Sequence, residues 1–95
     1  MKLPHDSRQY ARCTFSGLPD IDVGTPEIQV FGVWRPMEWD GPPGPSRKAK
    51  FLVYGPDAPA GSGLELPVGR TWVRKRVVDT PEVVVIPETD YIDVI

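Results

Sequence analysis

Ninety-five residues with a formal net charge of −2 and a single cysteine describe one small domain without a disulfide framework. This charge balance does not favour a nucleic-acid-binding protein, and no apolar run is long enough for a membrane-spanning helix. The N-terminus MKLPHDSRQY lacks the apolar core of a signal peptide. We therefore expect residues 1–95 to form a single soluble domain that stays inside the cell or is released by lysis.

Proline and glycine decide the predicted fold class. Twelve prolines and nine glycines leave little room for a helix, because proline removes a backbone donor and clashes with the preceding turn. The segments between them are rich in β-branched and aromatic residues, which favour strands. The sequence predicts an all-β fold, a small β-barrel or β-sandwich of six to seven short strands with long Pro/Gly-rich loops. The predicted strands are residues 8–15, 27–35, 47–54, 64–67, 70–78, 82–86 and 90–95.

Side-chain patterns within these strands predict where some of them lie. Cys13 sits among apolar neighbours on one face of strand 8–15, so we interpret it as a small buried residue rather than a nucleophile. Strand 27–35 is apolar on both faces, which predicts a central strand, with Gly32 marking a bulge or a close backbone approach. The unbroken β-branched run at 82–86 is typical of a strand covered on both sides.

No arrangement typical of catalysis or metal binding stands out. His5 is the one histidine, and the sequence contains no GxSxG, HExxH, CxxC or P-loop motif. Glu38 and Asp40 lie beside tryptophans, but we interpret them as a solvated acidic loop rather than a glycosidase pair. The segment around Asp20 and Asp22 lacks the glycine and the later glutamate of a calcium loop. We expect a protein that is not an enzyme and that uses no cofactor and no metal.

A basic and aromatic mixture lies in the predicted strand 70–78. It consists of Arg70, Trp72, Arg74 and Arg76. Single-strand nucleic-acid binders use such a mixture for phosphate contacts and base stacking. The alternative, which the net charge favours, is cross-strand pairing of these arginines with the acidic residues that follow them. Those residues are Glu82, Glu88 and Asp90.

The strongest functional signal is the aromatic insert after strand 27–35. Trp34, Met37 and Trp39 surround Pro36 in a segment with little room to bury them all. They would form an apolar patch for a protein partner, since tryptophan and methionine are enriched at interface centres. In the alternative, the loop folds back and the tryptophans close one end of the barrel.

The C-terminal strand gives a second candidate interface. The candidate residues are Tyr91, Ile92, Val94 and Ile95. Ile92 and Val94 share one face of the strand and Tyr91, Asp93 and Ile95 the other, and the chain ends without a polar tail. Such a strand either completes its own sheet or adds to the sheet of a neighbouring protein.

Residues 51–95 resemble a known group of proteins. The motifs are a strand that ends in GPDA, a Gly/Ser-rich gap, LPVGR, DTPEVVV and a closing IDVI. This pattern is similar to that of small virion proteins of tailed phages that infect actinobacteria. Those proteins include β-barrel head-closure (stopper) and head-to-tail connector subunits.

The resemblance implies a structural role at the head–tail junction of a virion, assembled in the host cytoplasm. The chain would form a ring with copies of itself and would contact virion proteins such as portal, adaptor, tail or capsid, without a membrane. The loops at 36–46 and 57–63 would project into the channel or onto the next ring. Arg47, Lys48 and Lys50 would make nonspecific contact with packaged DNA.

Other functions fit the sequence as well. A capsid decoration protein would carry the same strand and loop signals. A small docking or inhibitor protein could bind a host enzyme through the loop between Trp34 and Trp39. A nucleic-acid binder ranks below both.

Overall fold

Ten strands form the secondary structure of the part of the chain that the computed structural model describes, residues 1–16, 24–42, 46–59, 61–79 and 81–95. No helix occurs in these ranges. The strands are β1 (Lys2–Leu3), β2 (Arg8–Ser16), β3 (Thr25–Val30), β4 (Val33–Pro36), β5 (Glu38–Trp39), β6 (Ser46–Tyr54), β7 (Leu64–Glu65), β8 (Gly69–Asp79), β9 (Glu82–Val85) and β10 (Asp90–Val94).

The first sheet is built around β8, the longest strand, and has the order β1-β10-β8-β3-β4. β3 pairs along one side of β8, from Val73 to Val78. Two strands pair with the other side of β8: β10 pairs with its first part, Gly69–Val73, and β9 pairs with its last part, Arg76–Asp79. β1 adds to β10 in parallel and closes that end of the sheet.

The second sheet has the order β2-β6-β5, with β7 added to β6 in parallel. β2 and β6 pair antiparallel over their full lengths, from Arg8 opposite Tyr54 to Ser16 opposite Ser46. β5 pairs with the middle of β6, which brings Glu38 opposite Lys50. Within the predicted loop 36–46, residues 38 and 39 therefore lie along this sheet as β5 rather than projecting from it, whereas residues 43–45 lie outside the described ranges.

The two sheets share one hydrophobic core. Alternate side chains of β1, β3, β8 and β10 meet those of β2 and β6, together with single residues from the connections. The buried residues are Leu3, Ala11, Phe15, Ile28, Val30, Met37, Ala49, Val53, Leu66, Val73, Val77, Ile92 and Val94. The predicted all-β class is confirmed, and two sheets around one core match the sandwich alternative rather than a closed barrel.

The predicted strand 27–35 is two strands joined by a tight turn. Phe31 and Gly32 form the turn with φ values of 52° and 77°, and the register places Val30 opposite Val33. Positive φ at both central residues is the backbone of a type I′ hairpin turn. The prediction of a bulge at Gly32 is therefore wrong, although β3 does lie in the interior of its sheet, between β8 and β4.

The prediction that strand 82–86 is covered on both sides is also wrong. β9 pairs with β8 along one edge, and all four of its residues are exposed. Valine favours a strand at the edge of a sheet as well as in its centre, so the run predicted the strand correctly but not whether its faces are buried.

Candidate protein interface

The outer face of the first sheet brings together six of the residues predicted as functional. They are Trp34, Arg70, Trp72, Arg74, Arg76 and Tyr91, and we call this surface the arginine–aromatic face. In β8 these residues alternate with Thr71, Val73 and Val77, which are buried in the core. Tyr91 lies directly opposite Trp72, and Gln29 lies between Arg74 and Trp34.

One end of this face is an aromatic pair held by an arginine. The rings of Trp72 and Tyr91 meet edge to face, with centroids 5.4 Å apart. The guanidinium of Arg70 lies 3.9 Å from the centroid of the Tyr91 ring and donates to Asp93 at 2.8 and 3.2 Å. Trp72 is 57% exposed despite these neighbours. The end of the face is thus a fixed aromatic platform that remains open to a partner.

The other end is built from Arg76 and Trp34. The guanidinium of Arg76 lies 4.1 Å from the centroid of the Trp34 ring and donates to Oε1 of Glu27 at 2.7 Å. Both side chains are half-buried. Arg74, between the two ends, is exposed and makes no ion pair with any residue in the described ranges.

The arginines pair with carboxylates other than the predicted ones. Arg70 pairs with Asp93 and Arg76 with Glu27, rather than with Glu82, Glu88 or Asp90. The reason is the register, which places Asp93 opposite Arg70 and Glu27 opposite Arg76 as direct cross-strand neighbours. The prediction of cross-strand pairing is right in kind for these two arginines and wrong in its partners.

The ion pair of Arg70 predicts how stability changes in acid. The hydrogen bond from Arg70 holds the pKa of Asp93 below its ordinary value. A carboxyl group whose pKa is lower in the folded than in the unfolded chain stabilises the fold above its unfolded pKa of about 3.9 and loses that effect as pH falls through the folded pKa. We expect the melting temperature of Asp93→Asn to fall less steeply than that of the wild type below about pH 4.

Melting followed by circular dichroism between about pH 6 and pH 2 tests this prediction. Arg70→Gln is the matched control, because it removes the other partner of the same ion pair. It should make the fall of the melting temperature in acid less steep in the same way. Parallel acid limbs for the wild type and Asp93→Asn would contradict the assignment.

The turn between β3 and β4 carries an exposed aromatic residue that the sequence analysis missed. Phe31 is 62% exposed and follows Val30, which lies opposite Val73 in β8. An aromatic side chain with positive φ is uncommon, and such backbone outliers cluster at functional sites. Gly32 was the one available signal for the turn, and nothing in the sequence marked the ring of Phe31 as exposed.

The aromatic insert folds back onto the domain. Met37 is buried in the core. The Trp39 ring meets Phe15 edge to face at 5.4 Å, and its Nε1 donates to the carbonyl oxygen of Gly24 at 2.9 Å. Of the two alternatives for this segment, the structure shows the loop that folds back, and Trp34 alone of the three predicted residues belongs to the arginine–aromatic face.

The C-terminal strand completes its own sheet. Ile92 and Val94 are buried, so they serve the core of this domain and are not open to a partner. β10 lies between β8 and β1, and its end is fixed by a hydrogen bond from the amide of His5 to the carbonyl oxygen of Ile95. Tyr91 and Ile95 remain exposed from the predicted C-terminal set.

The other predicted basic residues lie on the second sheet. The Nζ of Lys50 lies 4.6 Å from the centroid of the Tyr10 ring, and Lys48 is exposed on the same strand. Arg47 instead covers Trp39 at 4.4 Å and donates to the carbonyl oxygen of Gly41. The three cations predicted to contact packaged DNA therefore all lie on β6 of the second sheet, whereas the arginines of strand 70–78 lie on the first sheet.

Carboxylates accompany the cations of the second sheet as well. Glu38 lies opposite Lys50 in the register. Arg12 donates to Asp40 at 2.9 Å, and this hydrogen bond lowers the pKa of the Asp40 carboxyl group. The sheet therefore carries a mixed charge pattern rather than a basic stripe.

Cys13 is half-buried and packs against the core. Burial raises the pKa of its thiol, which keeps the sulfur neutral at physiological pH. The cavity beside it measures about 80 Å³ and is lined mainly by Val73, Lys75 and Asp90. This environment fits the prediction of a packing residue.

The fold and this surface define a two-sheet β domain whose best candidate site is a contact face. Comparisons with protein-family models, with curated proteins and with solved structures found no match for this chain. Within the described ranges, no group of three or more histidine, cysteine, aspartate or glutamate side chains is arranged to hold a metal ion. The predicted loop around Asp20 and Asp22 lies outside those ranges. No helix of the described structure is long and apolar enough to cross a bilayer.

Proposed function

We propose that this protein is a structural subunit of a tailed-phage particle that acts by protein–protein contact. The observation that carries the proposal is the arginine–aromatic face. Tryptophan, tyrosine and arginine are the residues most enriched at binding hot spots. Here Trp72 and Tyr91 stand exposed on a sheet whose opposite face is the core of the domain.

The face is fixed before any partner binds. Arg70 is held by two hydrogen bonds to Asp93 and by the Tyr91 ring, and Arg76 is held by Glu27 and the Trp34 ring. Binding therefore immobilises few additional side chains, which reduces the entropic cost of association.

A protein partner fits this face better than nucleic acid does. Asp93 and Glu27 already neutralise Arg70 and Arg76, whereas phosphate binding depends on cations that release counterions. Arg74 is the remaining cation of the face, so contact with DNA would be weak and nonspecific.

The resemblance of residues 51–95 supports the choice of assembly. β8 and β10, which carry most of the face, lie in that segment. We assign the subunit to the head–tail junction, as a head-closure or connector component in contact with its own copies and with portal, adaptor or tail proteins. A capsid decoration protein is the alternative position within the same particle.

The proposal is tested by the incorporation of Trp72→Ala into particles assembled in its presence. Loss of a hot-spot residue costs at least about 2 kcal/mol, so we expect binding to the particle to weaken by about thirtyfold or more. Tyr10→Ala is the matched control, because Tyr10 is an exposed aromatic residue on the second sheet.

Tyr10→Ala should incorporate like the wild type, and circular dichroism should show that both variants are folded. Incorporation of Trp72→Ala at the wild-type level would exclude this face as the contact surface.

A further inference from the structure

The edge strand β9 consists largely of exposed valines. Val83, Val84 and Val85 are 51, 40 and 39% exposed, so both faces of the strand are open. One edge of β9 is paired with β8, and no described strand pairs with the other. Natural proteins protect such edges with charges, prolines or a covering segment, because an open apolar edge pairs with other chains.

The open edge presents a short and defined set of backbone groups. The amide of Ile86 donates to the carbonyl oxygen of Lys75 at 3.0 Å, so the backbone N–H and C=O groups of Ile86 point towards β8. Backbone groups of a strand alternate in direction. The backbone N–H and C=O groups of Val84 therefore also point towards β8, whereas those of Val83 and Val85 point to the open edge.

Two prolines limit this edge. Pro81 and Pro87 bracket the strand and have no N–H to donate. Any added strand can therefore extend its ladder only across residues 82–86. This limit favours a short, specific pairing over continued growth of the sheet.

We propose that β9 pairs antiparallel with β9 of a second copy of this chain, about a two-fold axis at Val84. In this register Val83 of each copy lies opposite Val85 of the other, and the outward groups form four hydrogen bonds. The inference goes beyond the proposed function, since a two-fold contact closes with two copies and is separate from the contacts that would link neighbours around a ring.

In this antiparallel orientation the strand is complementary to a second copy of itself, and charge disfavours the parallel orientation. Antiparallel pairing at Val84 places Glu82 opposite Ile86 of the second copy, whereas parallel pairing would place each Glu82 beside its own counterpart. Like charges directly opposite each other destabilise a strand pair. The valines then form a continuous apolar row across the two-fold axis, and each buries part of its exposed surface against the valine opposite it.

The contact is small, so we expect a weak dimer that forms only at high protein concentration. A five-residue strand pair buries less than the roughly 1,000 Å² of a stable interface. We expect the mass of the full chain in sedimentation equilibrium to rise from that of one chain, 10.6 kDa, towards twice that value as concentration increases.

Val85→Pro tests the pairing without removing a bond to β8. It deletes one outward N–H, and proline is tolerated on an edge strand where the N–H faces solvent. We expect it to weaken dimerisation at least tenfold. Val85→Thr is the matched control, because it keeps the N–H and the β-branched shape and should dimerise like the wild type.

Amide hydrogen exchange of the wild-type chain provides the second measurement. Val83 and Val85 amides should gain protection as concentration rises, while the Val84 amide should be protected throughout by its bond to β8. Exchange at Val83 and Val85 that is independent of concentration up to about 1 mM would overturn the inference. So would dimerisation of Val85→Pro at wild-type affinity.

These outcomes are separable from a failure of the proposed function. A chain that incorporates into particles but shows free exchange at Val83 and Val85 retains its function and loses this interface. A chain that dimerises through β9 but is absent from purified particles keeps the interface and loses the assigned assembly.

Discussion

Replacing Phe15 with alanine is expected to remove about 3–5 kcal/mol from the free energy of unfolding. Phe15 is completely buried, and its ring meets Trp39 edge to face. The Nζ of Lys75 lies 5.4 Å from the centroid of the same ring and donates to the carbonyl oxygen of Thr14. Since Phe15 belongs to the second sheet and Lys75 to the first, the substitution opens a cavity where the sheets meet.

Urea denaturation followed by tryptophan fluorescence measures this loss. Phe31→Ala is the matched control, because it deletes the same side chain from an exposed turn, and we expect a change within about 0.5 kcal/mol. A folded domain typically has only about 5–15 kcal/mol of stability, so Phe15→Ala should lie close to the threshold of folding. Equal effects of the two substitutions would contradict the described core.

Gly55→Ala is the second substitution with a large expected effect, about 2–3 kcal/mol or more. A Cβ atom at residue 55 would overlap the carbonyl group of His5 and lie 2.6 Å from its Cα atom. Both are backbone atoms, so the overlap is relieved only if one of two chain segments moves. Those segments are linked by hydrogen bonds from Gly55 to Ser7 and from Asp57 to His5.

The substitution should destabilise both sheets, because residues 5–7 connect them. They join the end of β6 in the second sheet to β10 in the first, through the hydrogen bond from His5 to Ile95. Thermal melts of Gly55→Ala and Gly61→Ala provide the comparison. A Cβ atom at residue 61 would meet only the flexible guanidinium of Arg8, so we expect a change below about 1 kcal/mol. A Gly55→Ala variant as stable as the wild type would show that these segments are not closely packed.

The sequence was sufficient to predict strands that have one buried and one exposed face. In β8, the buried residues Thr71, Val73 and Val77 alternate with exposed Trp72, as the period of two in the sequence indicates. Alternation with a period of two does not depend on the order of the strands, because it reflects only that the sheet has a core side and an outer side.

Features that depend on strand order could not be predicted. Asp93 and Glu27 neutralise the arginines because β10 and β3 flank β8, and neither neighbour can be deduced from local pattern. The Phe31–Gly32 turn was hidden within an apolar run, because phenylalanine carries none of the usual turn signal. Very short strands such as β5 have too few residues to show a period.

The same limit explains the outcome at the candidate site. Trp72 and Tyr91 were identified separately, as part of a basic strand and of a C-terminal strand, and the register brings them together. The sequence left open whether the insert with Met37 forms an apolar patch or folds back, and the structure shows it folded back, with the Met37 amide donating to the carbonyl oxygen of Pro26 and the side chain buried. Composition indicates which residues suit an interface, whereas topology decides which of them are free to form one.

The most direct test of the structural role is the copy number of this chain in tailed-phage particles purified from a lysate that contains it. Quantitative mass spectrometry against the major capsid protein supplies the ratio. A fixed ratio far below that of the capsid protein is expected for a subunit at the single head–tail junction, and a ratio near one would indicate a decoration protein instead. Absence of the chain from purified particles, with the chain present in the same lysate, would contradict the structural role.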